Sequence, residues 1–308
     1  MKYMKKGKQT EMANQSTISI LSETVKTGII KSNIITMLAG LTLSLYTYEY
    51  SIGDKLLEIV LATIGSILVI GAAGSFNNLY DRDIDSIMNR TKNRPTVTGN
   101  ISFQTTLWLG IIMSLLGITA LYFTTPLAAL LGFLGLFFYV VPYTMWTKRT
   151  TVYNTEIGSI SGAMPPLIGW AAIYPDITHP AIIGLFVISV IWQMPHFYAI
   201  AIRRHDEYKA ANVPMLPVVK GIKRTYIQTN VYLIILILFS FPFITLSLGL
   251  MLVALILGVA WLVLSIYGYN KMDPEKWAKS MFLFSLLHMT VLFSTVIIYS
   301  LMGIFFNL

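Results

Sequence analysis

The run LEIVLATIGSILVIGAAGSFN, residues 57–77, passes directly into NLYDRDIDSIMNRTKNRP, residues 78–95. The first stretch holds a single charge, Glu58, and matches the roughly 20 residues that a helix needs to cross a bilayer. The second carries carboxylates and then bases in close succession. An apolar span that ends on such a segment delivers acids and bases together to the edge of a membrane.

Working outward, eight further apolar runs of similar length lie near 28–48, 104–123, 126–146, 154–174, 180–202, 226–246, 248–268 and 280–305. The expectation is an all-α, polytopic membrane protein with nine transmembrane helices. Composition agrees: of the 308 residues 55% are hydrophobic and 12% charged, and the mean hydropathy is +0.68. Soluble domains carry about 25% charged residues, and no soluble core of this size hides so much apolar surface. A soluble enzyme, a disordered linker and a nucleic-acid-binding module are thereby excluded. The chain has no cysteine, which removes disulfides, thiolate metal sites and cysteine nucleophiles. Residues 1–27 read as a basic, loosely ordered tail without the apolar core of a signal peptide. Residues 28–305 read as one transmembrane domain.

Orientation follows from lysine and arginine. With residues 1–27 in the cytoplasm, 21 of the 22 basic residues fall on the inner side and only Lys55 outside. The chain then runs N-in, C-out. Its net charge of +8 belongs to those inner loops and does not point to a nucleic-acid partner. Two inner loops, 77–103 and 203–225, are long and dense in charge, and four spans separate them. The chemistry is expected where they converge.

In the first loop a continuing helix puts Asn77, Asp81 and Asp85 at i, i+4 and i+8 on one face and turns Asp83 away. Carboxylates one turn apart repel without a counter-ion, and oxygen donors of this kind suit Mg²⁺. Arg90, Lys92 and Arg94 follow at once, so metal ligands and anion partners come together. The plainer alternative is a solvated loop whose acids pair with its own bases. The functional reading outweighs it, because carboxylates at a membrane edge are costly to keep.

The second segment, HFYAIAIRRHDEYKAANVPMLPVVKG at 196–221, places His196, Arg203 and Glu207 in one narrow stripe of a continuous helix, with Asp206 about 80° off it. Glu207, and Asp206 after it, is the natural partner of Asp81 and Asp85 on a shared metal. His196 reads equally as a hydrogen-bonded structural group, a cofactor ligand or a proton carrier. His288, in FSLLHMTVLF, is the other intramembrane histidine. A third segment, 147–171, brings Lys148 and Arg149 to the inner edge of the fifth span and spaces Asn154, Gly158 and Gly162 by four for close helix contact. It must break or kink at Pro165 and Pro166. Glu156, one turn into this span, needs a buried partner or the interface.

These stretches resemble the UbiA superfamily of intramembrane prenyltransferases. Asn77-x3-Asp81-x3-Asp85 with RTKNRP behind it is similar to that family's first aspartate-rich motif. DRDID, YTMWTKRTTVYN, GAMPPLIGW, WQMPHF, and DEY followed by PMLPVVKG occur in that order between about 31 and 225, and are similar to the haem-prenylating branch. Quinone-type members usually carry Asp where Asn78, His196 and Arg203 stand here, so the second motif keeps only Asp206 and Glu207.

The resemblance implies a UbiA-like helical bundle. It also implies transfer of farnesyl from farnesyl diphosphate to a vinyl group of haem B with addition of water, giving haem O and diphosphate for haem-copper oxidase biogenesis. Mg²⁺ would be held by Asn77, Asp81, Asp85 and Glu207, with Asp206 as a further ligand. Arg94, Lys148, Arg149 and Arg203 would face the diphosphate, and His196 and His288 are the haem-contacting candidates. A bacterial plasma membrane, a site opening to the cytoplasmic side and a haem A synthase as partner follow from the same resemblance. Three readings compete, one of them a structural scaffold for a respiratory assembly, which would not need Asn77, Asp81 and Asp85 on one face. A prenyltransferase acting on an aromatic or quinone precursor is opposed by the missing carboxylates of the second motif. A transporter predicts charge near the bilayer midplane, whereas charge here gathers at the inner surface.

Overall fold

The computed structural model describes residues 16–306; of the basic tail expected at 1–27, residues 1–15, with Lys2, Lys5, Lys6 and Lys8, lie outside the described residues. Helix α1 (Thr17–Thr24) begins where the Ser16 hydroxyl accepts from the Ser19 amide at 3.2 Å, so this part of the expected tail is helical. Lys26 in the left-handed region (φ 57°) turns the chain into α2 (Thr27–Thr47). Then come α3 (Leu56–Tyr80), α4 (Arg82–Ile87), the short α5 (Pro95–Thr98), α6 (Phe103–Tyr122) and α7 (Pro126–Phe138). A π-helical stretch, Tyr139–Thr147, joins α7 to α8 (Lys148–Thr150). The rest is α9 (Asn154–Gly162), α10 (Met164–Ile173), α11 (Pro180–Arg203), α12 (His205–Ala210), α13 (Leu216–Leu238), α14 (Leu248–Lys271) and α15 (Pro274–Phe306). Among the described residues there is no strand.

Eight helical stretches among the described residues are long and apolar enough to cross a membrane. The remaining expected span, 154–174, breaks as its proline pair implies: it is two half-helices, α9 and α10, meeting at Ala163. Pro165 and Pro166 force the break, because a proline ring inside a helix collides with the carbonyl four residues before it. A broken helix survives at membrane depth only where protein encloses it, and every residue of α10 is buried. Helix α2 crosses α10 with almost no separation. A Cβ added at Gly40 would lie 1.9 Å from the Pro166 carbonyl oxygen, and one at Gly169 would lie 2.0 Å from that of Met37. Such backbone approach is a main source of helix association in lipid, where burial of apolar surface drives nothing.

At one end of the bundle the two charged loops meet. Ile84 and Met88 of the first pack with Tyr208, Val213 and Met215 of the second. Arg90 reaches across to the Tyr208 hydroxyl at 3.3 Å.

Candidate active site

A cavity of about 430 Å³ opens between these loops and runs into the bundle. Its charged lining comes from helix ends and loops, Lys26, Asp85, Arg90, Arg94 and Lys148, with Asn77 beside them. Its apolar lining comes from mid-span positions, among them Val69, Ile168, Met289 and Phe293. One end is therefore charged and the other is uncharged and largely apolar.

The helical phase of the first loop survives into α4. The Asp81 amide donates to the Asn77 carbonyl at 2.9 Å and the Asp85 amide to the Asp81 carbonyl at 2.8 Å, so the axis carries through the junction. Asn77, Asp81 and Asp85 are all buried, while the Asp83 side chain is 64% exposed. Asn77 donates to Asp81 Oδ2 at 2.7 Å and to the Thr144 hydroxyl at 3.0 Å. Thr144 lies in the π-helical stretch, which also brings Lys148 onto Asp81 Oδ2. Arg94 pairs with Asp85. Arg149 grips Asp83 with two hydrogen bonds of 2.6 and 2.7 Å and sits 3.6 Å from Asp81 Oδ1. That grip holds the Asp83 carboxyl at about 2, below its ordinary 3.8.

Spacing alone reads Lys26 as part of the basic tail, yet it lines the cavity and donates to Asn77 Oδ1. Burial, with Arg94 and Lys148 close by, pushes its ammonium well below the usual lysine range, against the pull of Asp81 and Asp85. The signal for it lies in its place, the last base before an apolar span whose neighbour across the bundle ends in acids.

The second loop departs from expectation. The stripe His196–Arg203–Glu207 requires one unbroken helix, and Arg204 (φ −121°, ψ 27°) leaves helical geometry between α11 and α12. Glu207 pairs with Arg204 at 2.9 Å. Asp206 is fully exposed beside His205, and Arg203 lies with its guanidinium 5.3 Å from the centre of the Phe282 ring. None of Arg203, Asp206 and Glu207 lines the cavity. Among the described residues no three histidines or carboxylates converge, so the expected single cage of Asp81, Asp85, Asp206 and Glu207 is not assembled. The first-loop acids face cations instead.

His196 lines the cavity and bonds through Nδ1 to the Ser285 hydroxyl at 2.7 Å. His288, the other haem-contacting candidate, is fully buried beside Trp261 and does not line the cavity. The turn of the long α15 that carries it points elsewhere. Glu156 finds its partners inside the protein: Tyr198 at 2.5 Å, Gln228 at 2.7 Å and Tyr232 at 3.0 Å all donate to Oε1. Gln193, which spacing does not single out, is buried on the cavity wall.

Against known proteins, residues 33–287 match the model of the UbiA prenyltransferase family. Protoheme IX farnesyltransferase 1 of Bacillus cytotoxicus is 72% identical over 304 residues, covering 99% of this chain and 100% of the relative. Protoheme IX farnesyltransferase 2 of Lysinibacillus sphaericus is 64% identical, covering 95% and 93%. Among solved structures, a digeranylgeranylglyceryl phosphate synthase superposes with a TM-score of 0.74 at 16% identity, over 92% of this chain and 98% of that one. A UbiA homologue from Archaeoglobus fulgidus bound to GPP and Mg²⁺ gives 0.64 at 13% identity, over 91% and 99%.

Proposed function

The chain belongs to the UbiA prenyltransferase family, and from that premise we propose that it transfers a farnesyl group from farnesyl diphosphate to a vinyl group of haem B, with addition of water, giving haem O and diphosphate. One observation carries the reading. The cavity begins among Lys26, Arg94 and Lys148 and continues between apolar mid-span walls, and a prenyl diphosphate has the same two ends.

Lys26, Arg94 and Lys148 bind the diphosphate and balance the charge that grows on it as the allylic C–O bond breaks, both electrons leaving with the phosphate. The apolar walls and the buried α10 keep bulk water from the allylic cation. The vinyl group supplies the electrons of the new C–C bond, so no protein nucleophile is needed. Asn77, Asp81 and Asp85 fit Mg²⁺: their donors are hard oxygens, and Asp81 Oδ1 is buried without a hydrogen-bond partner. Glu207 is the proposed ligand from the second loop, its Oε2 likewise buried and unpartnered and its neighbour Tyr208 already joined to Arg90. When bound, the ion supplies Lewis-acid stabilisation to the diphosphate oxygens. The bias of Lys and Arg toward this end of the bundle supports a bacterial plasma membrane with the cavity mouth on the cytoplasmic side.

The test is a product assay on membranes expressing the chain, supplied with haem B, farnesyl diphosphate and Mg²⁺. Mass spectrometry of extracted haem is expected to show a farnesyl-plus-water adduct that disappears with EDTA and in Asp81→Asn. Folded wild-type protein giving no adduct would overturn the reading and direct attention to quinone-type acceptors.

A further inference from the structure

Two side chains on the cavity wall present acceptors that no donor among the described residues satisfies. Gln193 is 8% exposed. Its amide nitrogen donates to the carbonyls of Ser159 and Ser189, both at 2.9 Å, which uses both N–H bonds and fixes Oε1 as a pure acceptor. Gly162 leaves room for that oxygen: a Cβ there would fall 2.2 Å from it. His196, three residues further along α11, lies on the same wall. The Ser285 hydroxyl gives its own proton to the Phe282 carbonyl at 2.5 Å, so it accepts from His196 Nδ1. The imidazole proton is therefore on Nδ1, and Nε2 is a bare lone pair. The ring is held against Trp192 and Phe282, at centroid distances of 4.6 and 5.2 Å.

Neighbouring acceptors whose own donors are spent call for a molecule with two donors. Water is the smallest, and one that points both O–H bonds at the wall turns its free electron pairs into the cavity. The reaction proposed above needs such an arrangement. Its first cation, on the farnesyl chain, must meet no water, while its second must meet one molecule. Bulk access would quench the first. A single wall-held water serves the second alone.

We propose that Gln193 Oε1 and His196 Nε2 hold the water that adds to the haem side chain, and that His196 takes its proton. The assignment rests on the farnesyl-transfer reading. Bonding of the farnesyl terminal carbon to the outer vinyl carbon leaves the positive charge on the carbon next to the porphyrin ring. The water oxygen bonds to that carbon. One O–H bond breaks, its electrons staying on oxygen and its proton moving to Nε2; the diphosphate has already left with the C–O pair. Gln193 moves no proton and is a positioning residue.

The full-length protein with haem B, farnesyl diphosphate and Mg²⁺ tests this through two products: the hydroxylated adduct, and the adduct lighter by one water that forms when the second cation loses a proton instead. In His196→Asn the ratio of the first to the second is expected to fall about 100-fold, a typical general-base effect, while diphosphate release continues and added imidazole restores the ratio. Gln193→Met is expected to lower the ratio less, without rescue. Ser285→Ala, which keeps the imidazole but frees its tautomer, is the second variant if His196→Asn does not fold, and it too should lower the ratio. An unchanged ratio in either histidine-directed variant overturns the proposal. So does a folded His196→Asn that releases no diphosphate, which places the residue before the water step. A changed haem absorption spectrum with an unchanged ratio makes His196 an iron ligand instead. Wild-type protein forming neither adduct sinks the underlying reaction, and this assignment with it.

Discussion

The side-chain amide of Asn77 stands between Lys26 and Asp81, accepting from the lysine and donating to the carboxylate at 2.7 Å. A neutral group thus links a partly buried cation to a buried anion, and its two ends suit the two charges. Aspartate at this position keeps the acceptor and loses the donor, and leucine loses both.

Asn77→Leu is accordingly expected to destabilise the fold by about 1–3 kcal/mol, the usual consequence of leaving buried polar groups unpaired. Thermal unfolding in detergent measures it. A melt indistinguishable from wild type would mean that Lys26 and Asp81 do not depend on the amide.

Lys148 and Asp81 form a pair in which the carboxylate is wholly buried. Removing the lysine alone leaves the buried carboxylate with only Asn77 and the more distant Arg149, and Lys148→Met is expected to lose up to about 3–5 kcal/mol. Adding Asp81→Asn to that variant removes the charge and should recover much of the loss. The same unfolding assay, run as a double-mutant cycle, decides it; strictly additive losses would refute the coupling.

Packing of α2 on α10 gives a contrast within one helix. Gly40→Ala drives a methyl group into the Pro166 backbone, where nothing can yield cheaply, and is expected to lower stability by about 1–3 kcal/mol or more. Gly28 has nothing within 4 Å of its missing Cβ, and Gly28→Ala should be neutral or gain up to about 1 kcal/mol. Equal melting temperatures for the two variants would contradict this reading of the interface.

The Asp83–Arg149 pair titrates. Asp83 is held at about 2 against an ordinary 3.8, so its favourable pairing is complete above the ordinary value and is lost as pH falls through the lower one. In Arg149→Ala the carboxyl should return toward 3.8. Carbon-detected NMR of labelled aspartate at pH 3 is expected to find Asp83 mainly ionised in wild type and mainly protonated in the variant; the same protonation state in both would rule out Arg149 as the cause.

The spans were legible because a bilayer demands length and apolarity, and both are visible in sequence. The break at Ala163 was legible from Pro165 and Pro166, since a proline ring announces its own steric conflict. The face shared by Asn77, Asp81 and Asp85 could be read because the helix axis runs on through residue 81. The same arithmetic does not bring Glu207 to the cavity wall, because the non-helical backbone at Arg204 separates it from His196. Lys26 was illegible for another reason. Charge says that a lysine stays near an interface, but not that a left-handed backbone will fold it inward onto Asn77.

The half-helix that begins at Met164 carries one more consequence. The first four amide groups of any helix lack partners within it, and in hydrocarbon each orphan is expensive. Of the opening positions of α10, Pro165 and Pro166 have no N–H to orphan. The interruption in the middle of the bundle is therefore insulated by its own imino acids. It needs fewer attendant solvent molecules than an interruption built from other residues, and it lies beside a chamber where stray moisture would end the reaction early.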